Sequence, residues 1–293
     1  MGDIPSRGSP GFLRAFAVMS LACVGAGCWV AAAHGVPAEV WARNLGAWII
    51  GFGLAALVAR TAGSARAIAG FLLAAPVGLI ATLLSPGLSG VHRWALLGPV
   101  RMNLAEILLP AAVVAFAALG PGRLWSWLVA AAVATLLVAQ PDASQATAFG
   151  CAWIAALLLS ASGRGFRWGG VAAAVAAITA AWLRPDPLAP VPEVEGIFRL
   201  AWMLSPPATL LAGAVLGAAT LTPVLAMRRD QAIPRTASMA LIVYFLLSAL
   251  SPTLGAFPVP LVGMGMSPIL GFWLGAGLLA AVASGRWRSL PSP

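Results

Sequence analysis

The stretch "GVHRWALLGPVRMNLAEILLP" (Gly90–Pro110) decides how the chain is read. It gathers His92, Arg93, Arg101, Asn103 and Glu106 in a sequence of which only 9% is charged, then runs Glu106 into an apolar segment. Outward from it, apolar residues make up 61% of the 293 positions, and the mean hydropathy is +0.95. Soluble domains are about half apolar and about a quarter charged. A single globule could not cover this much apolar surface, so the composition predicts an all-α, polytopic membrane protein.

A spanning helix needs about 20 apolar residues. Ten segments meet the pattern, near 12–34, 40–60, 66–86, 103–120, 124–140, 145–162, 168–184, 204–227, 236–256 and 266–285. Gly- and Pro-rich connections separate them, including "SPGLSG", "QPDAS" and "RPDPLAPVPEVEG". The basic residues orient the set. All 17 are Arg; 12 fall on the side of the N-terminus, and Arg43, Arg93, Arg101, Arg184 and Arg199 fall on the other. The positive-inside rule therefore predicts about ten spans with both termini cytoplasmic. Glu39, Asp142, Asp186, Glu193 and Glu195 then face outward.

Smaller signals read as structure. Gly213/Gly217 and Gly271/Gly275 have the spacing that lets helices approach closely in lipid. Trp41, Trp94, Trp125, Trp168, Trp182 and Trp287 fall near span ends, where aromatic belts form. Cys23, Cys28 and Cys151 sit in apolar segments without metal-ligand spacing. The N-terminal residues do not read as a cleaved signal peptide. "MGDIPS" fits a loose myristoylation template, yet a multi-span protein needs no lipid anchor.

The motifs of soluble catalysis are missing. His34 and His92 are the two histidines and lie far apart, which argues against a His-based metal cluster. Without Lys there is no Gly-rich phosphate loop ending in Lys, which argues against an ATP-driven machine. The net charge of +9 comes from scattered Arg, so it points to membrane orientation and not to nucleic acid. The chemistry that remains is on the outward face.

Three outward connections carry it: the opening stretch with Glu106, "VAQPDAS" with Gln140 and Asp142, and the loop with Asp186, Glu193, Glu195 and Arg199. A carboxylate at membrane depth is costly and faces a partner or a cavity. Glu106 is read either as a member of an internal salt bridge or interhelical hydrogen bond, or as the wall of a substrate cavity. Asp142 is read as a helix cap or turn former after Pro141, or as a site residue. Glu193 and Glu195 are read as solvated loop acids or as catalytic groups.

The residues Arg93, Trp94, Leu97, Gly98 and Glu106 resemble the Arg-Trp and Glu motifs of the SEDS family (shape, elongation, division, sporulation; FtsW, RodA and SpoVE). Gln140, Pro141 and Asp142 match that family's Gln-Pro-Asp. Pro258, Pro260, Gly265 and Ser267 resemble its last signature. "PEVEGIF" is similar to the end of its large outer loop, with Glu195 in the place of the proposed base Asp. The pieces keep the family's order over roughly 90–285, in a shortened chain: the outer loop is brief, Leu109 replaces a Lys, and the last signature is less polar.

The resemblance implies one transmembrane domain over 1–293, with a cytoplasmic tail at 1–11, a short outer loop at 184–203 and a cytoplasmic tail at 286–293. It implies a bacterial inner-membrane protein of cell-wall synthesis, division or shape that polymerises a lipid II-like, undecaprenyl-linked sugar, inverting at the donor. Glu195 is the candidate base with Asp142 beside it. Arg93, Trp94, Glu106, Gln140, Glu193 and Ser267 are the candidate substrate-binding residues. The family implies a single-pass class B penicillin-binding protein as partner, no nucleic acid, and no cofactor beyond a divalent cation. Two other readings fit the sequence: a non-catalytic SEDS-fold scaffold that binds a partner's transmembrane helix, and a transporter or lipid flippase.

Overall fold

The computed structural model describes residues 8–98, 100–227 and 231–285. Of the expected tails, residues 1–7 with Arg7 and residues 286–293 with Trp287 lie outside the described residues, as do Arg228 and Arg229, whereas residues 8–11 already belong to the first helix. Eleven α-helices run in chain order: α1 (Gly8–Ala33), α2 (Ala38–Thr61), α3 (Ala65–Leu83), α4 (Leu104–Leu119), α5 (Leu124–Ala139), α6 (Ala143–Leu159), α7 (Arg164–Trp182), α8 (Ile197–Leu204), α9 (Pro206–Leu221), α10 (Ala232–Leu250) and α11 (Met266–Ala283). Each of the ten expected segments is helical. Among the described residues, six helices can cross a membrane by length and composition: α1, α2, α3, α9 with its 3-10 extension, α10 and α11. The helices α4, α5 and α6 are apolar but shorter, at 16, 16 and 17 residues. The chain is a multi-pass, all-α membrane protein. Its outer surface carries the apolar side chains that lipid solvates, such as Ile49 at 66% exposure and Leu210 at 67%.

Polar residues set where helices begin. Asn103 caps α4, its side-chain oxygen accepting from the N–H groups of Ala105 (3.0 Å) and Glu106 (3.4 Å). Asp142 caps α6 through the Gln145 N–H at 3.2 Å, and Ser64 caps α3 through the Ala67 N–H at 3.2 Å. These side chains satisfy backbone donors that have no partner within the helix.

The helix α4 is buried almost all round, and α11 packs most extensively on α2 and α4. Glycine makes that approach possible. A Cβ at Gly271 would overlap the Glu106 carbonyl, and one at Gly277 would overlap the Ala55 backbone. The Gly271/Gly275 pair is thus at a helix crossing, as its spacing predicts. Gly213 and Gly217 differ, because nothing lies within 4 Å of either position. Among the described residues, therefore, the same spacing there joins no helices.

Two features were not legible. Residues Trp94–Leu97 (β1) and Val100–Asn103 (β2) form an antiparallel hairpin pairing Trp94 with Asn103 and Leu97 with Val100. Gly98 turns it with φ +59, a conformation that favours glycine. Strands of four residues with mixed polarity show too little alternation to be read. Residues 197–203 of the expected outer loop fall in α8, on which Trp202 and Met203 are exposed. The irregular loop therefore contracts to the residues between Trp182 and Ile197.

Polar contacts gather alternate helix ends at one pole. The end of α5 meets the end of α3, where Gln140 Nε2 donates to the Leu79 carbonyl at 3.0 Å. The start of α2 meets the start of α11, where Asn44 Nδ2 donates to the Gly263 carbonyl at 2.8 Å. The start of α4 meets α11, where the Asn103 N–H donates to Ser267 Oγ at 2.9 Å. At the opposite pole the α4–α5 and α6–α7 turns face the start of α10. Neighbouring helices therefore run up and down, and the polar stretches between them fall together.

Candidate active site at the polar end of the bundle

At the polar pole a cavity of about 610 Å³ opens between α2, α4, the hairpin, the α5–α6 junction, the Pro-rich loop and the segment before α11. Four carboxylates line it, Glu106, Asp142, Asp186 and Glu195, with three guanidinium groups, Arg43, Arg93 and Arg101. Glu106 and Asp142 are brought in by their helix starts, Arg93 and Arg101 by the hairpin, and Asp186 and Glu195 by the loop.

Arg93 organises the floor. It is 6% exposed, and its Nη2 donates to Asp186 Oδ2 at 2.7 Å while its Nε lies 3.6 Å from Asp142 Oδ2. It also donates to the Gln140 carbonyl at 3.4 Å and to the Pro141 carbonyl. Burial pulls the guanidinium down. Asp142, Asp186 and Glu106 outweigh that and raise it, so it stays a cation. The other oxygen of Asp142 accepts from Ser144 Oγ at 2.9 Å and from the α6 backbone. Both readings of Asp142 hold at once, for it caps a helix and lines the cavity.

Glu195 sits on the loop with Oε2 accepting from the Val191 N–H at 2.7 Å. Burial pushes its carboxyl up. The Val191 and Glu195 N–H groups draw it back, and the nearby Glu193 and Asp186 charges add to the rise. The net effect is a carboxylate more basic than an exposed one. The loop is pinned from below, with the Met264 N–H donating to the Glu193 carbonyl at 2.9 Å and the Val259 N–H to the Val194 carbonyl at 3.3 Å.

Of the residues singled out from sequence, Arg93, Trp94, Glu106, Asp142, Glu195 and Ser267 line this one cavity. Gln140 and Glu193 do not. Gln140 is buried and spends its amide on α3, with Thr82 Oγ1 at 2.5 Å, while Glu193 contributes its backbone carbonyl. Ser267 faces the cavity but accepts from the Asn103 N–H, joining α4 to α11. The lining residues Arg43 and Asn44 were not singled out as site residues. Their signal was two adjacent polar residues early in an apolar segment. Among the described residues, no three His, Cys, Asp or Glu side chains group as metal ligands.

No protein-family model matches the sequence, and no curated protein matches it. Solved structures do match. Rod shape determining protein RodA of Thermus thermophilus superposes with a TM-score of 0.61 at 19% identity, covering 94% of this chain and 97% of that one. The chain has the RodA fold. An Asp-to-Ala mutant of that RodA gives 0.66 at 19% identity, covering 94% of this chain and 98% of RodA. A chain from a peptidoglycan synthase complex, described as coordinating polymerization and crosslinking, gives 0.62 at 21% identity and covers 92% and 97%. Nearly the whole of each RodA-fold chain is therefore represented here. The polytopic helical fold is the one the SEDS resemblance implied.

Proposed function

We propose that this chain is a SEDS-type protein of the bacterial inner membrane, acting in cell-wall synthesis or cell shape, that polymerises an undecaprenyl-linked, lipid II-like sugar. The observation that carries the reading is the meeting of Glu106, Asp142 and Glu195 in one cavity within a RodA fold. Three separate stretches of sequence supply them. In the reaction, an acceptor sugar hydroxyl attacks the anomeric carbon of the donor, and the bond from that carbon to the diphosphate oxygen breaks. The polyprenyl diphosphate leaves and the hydroxyl proton passes to a carboxylate.

Glu195 is the candidate base. It faces the cavity, its Oε1 is not held by the loop turn, and its surroundings raise its basicity. Asp142 is committed on both oxygens, so it serves by holding Arg93. The guanidinium groups of Arg43 and Arg101 line the cavity, form no ion pair among the described residues, and suit the donor diphosphate. A single-pass class B penicillin-binding protein is the partner this reading implies.

Purified protein supplied with lipid II should form glycan polymer. Glu195→Ala should abolish it and Glu195→Asp should keep part of it. Normal turnover in Glu195→Ala would remove Glu195 from the mechanism. The scaffold reading draws support from the engaged state of Asp142 and of Glu195 Oε2. It predicts no polymer from wild type, together with full function in cells of the Glu195 and Asp142 variants.

A further inference from the structure

A second, much smaller void of about 10 Å³ adjoins the cavity at Glu106. Glu106 lines both spaces, so its side chain stands between them. The polar walls of the void are Glu106 from α4, Gln145 from α6, and Tyr244 and Ser248 from α10. Proline and phenylalanine rings close the rest.

The polar groups here are deeply buried and incompletely satisfied. Tyr244 is 1% exposed and Ser248 5%. The Tyr244 hydroxyl donates to Gln145 Oε1, which leaves its own oxygen free to accept. Among the described residues, Ser248 Oγ makes no hydrogen bond of full geometry, although it lies near enough to the Tyr244 hydroxyl to interact with it. Among the described residues, no side chain hydrogen-bonds the Glu106 carboxyl group. Tyr244 and Ser248 are four residues apart on one helix, so both project to the same side of α10. The stack of Phe245 on Phe272, with ring centroids 3.8 Å apart, fixes that helix against α11.

A void of about 10–15 Å³ holds one water, provided that two to four polar groups surround it. This void meets both conditions. We propose that a single water occupies it and joins Glu106 to Tyr244 and Ser248, making Tyr244 a positioning residue for Glu106. The donors and acceptors balance. Ser248 donates to the water, and the water donates one hydrogen to Tyr244 Oη and the other to a Glu106 carboxyl oxygen. Gln145 holds the tyrosine hydroxyl from behind. The result is a four-residue brace, drawn from three helices, that sets the angle at which Glu106 enters the cavity. The catalytic consequence rests on the polymerase reading above; the water link does not.

The test uses the whole protein in detergent or nanodiscs. A structure that resolves ordered solvent should show one water within about 2.6–3.2 Å of oxygens of Glu106, Tyr244 and Ser248. A void that is empty, or filled by a side chain, overturns the proposal without any variant. Infrared spectra give a second readout, with the Glu106 carboxyl bands assigned as those lost in Glu106→Gln. Tyr244→Phe should shift these bands, and Ser248→Ala should shift them less. Bands unmoved in Tyr244→Phe overturn the positioning role. If lipid II is polymerised, Tyr244→Phe should lower kcat by about 10- to 100-fold with KM unchanged. A band shift in a protein that never polymerises lipid II would sink the enzyme reading and leave the water link standing.

Discussion

The Arg93 guanidinium donates to Asp186 at 2.7 Å across 93 residues of sequence. This contact ties the hairpin side of the cavity to the Pro-rich loop that bears Glu195. Asp142 is the third member, 2% exposed, so Arg93 is the counter-charge that lets two carboxylates share a nearly dry floor.

Removing Arg93 should therefore cost more than removing Asp186. Arg93→Leu strands Asp142 as an uncompensated buried charge, which costs about 3–5 kcal/mol. Asp186 is a quarter exposed in this pair, so Asp186→Asn should cost less, about 1–2 kcal/mol. Thermal unfolding in detergent measures both. Equal losses would show that Asp142 does not depend on Arg93.

The carboxylate chemistry predicts an acid limb of activity. Glu195 has a raised pKa, so it takes up a proton at a higher pH than an exposed Glu, near 4.3, would. Polymerisation should rise with pH through an inflection above that value and be lost below it. The sign for stability is opposite to that of an ion-paired acid. Burial disfavours charged Glu195, so its cost is absent below the unfolded pKa and fully present above the folded one. In Glu195→Gln the acid limb should vanish along with the base; a surviving limb would assign it to another group.

As general base, Glu195 should matter by about 10²- to 10⁴-fold. Glu195→Ala should lose that factor in kcat, while Glu195→Asp keeps a measurable fraction because an oxygen base remains. A turnover assay on lipid II separates the two variants. Equal activity in both would mean that the side chain is not the base.

The two glycine pairs should behave differently. Gly271→Ala places a methyl group against the Glu106 carbonyl, where α11 crosses α4, and should destabilise by about 1–3 kcal/mol. Gly213→Ala meets nothing within 4 Å and should stay within about 0.5 kcal/mol of wild type. A large loss at Gly213 would show that this face is packed against something beyond the chain.

Composition and spacing alone gave the class of molecule and the position of every described helix except α8. Hydrophobic runs separated by Gly and Pro locate a helix whatever it later packs against, because lipid forces each segment to satisfy its own backbone. The stretch from His92 to Leu109 also marked the fold, since Arg93, Trp94 and Glu106 are polar residues that an apolar chain has a physical reason to keep. Which polar residues share a cavity was decided only by tertiary structure. Gln140 lies two residues from Asp142, yet it turns into α3 while Asp142 faces the cavity; a one-dimensional spacing does not carry that rotation about the helix end. Gly213 and Gly271 head identical spacings, yet only Gly271 meets a helix, because a small residue permits a close approach without requiring one. Tyr244, the only tyrosine, gave no signal inside its apolar segment. It became a site residue when α10 set it beside Gln145 and Glu106, a meeting of three helices that only packing brings about.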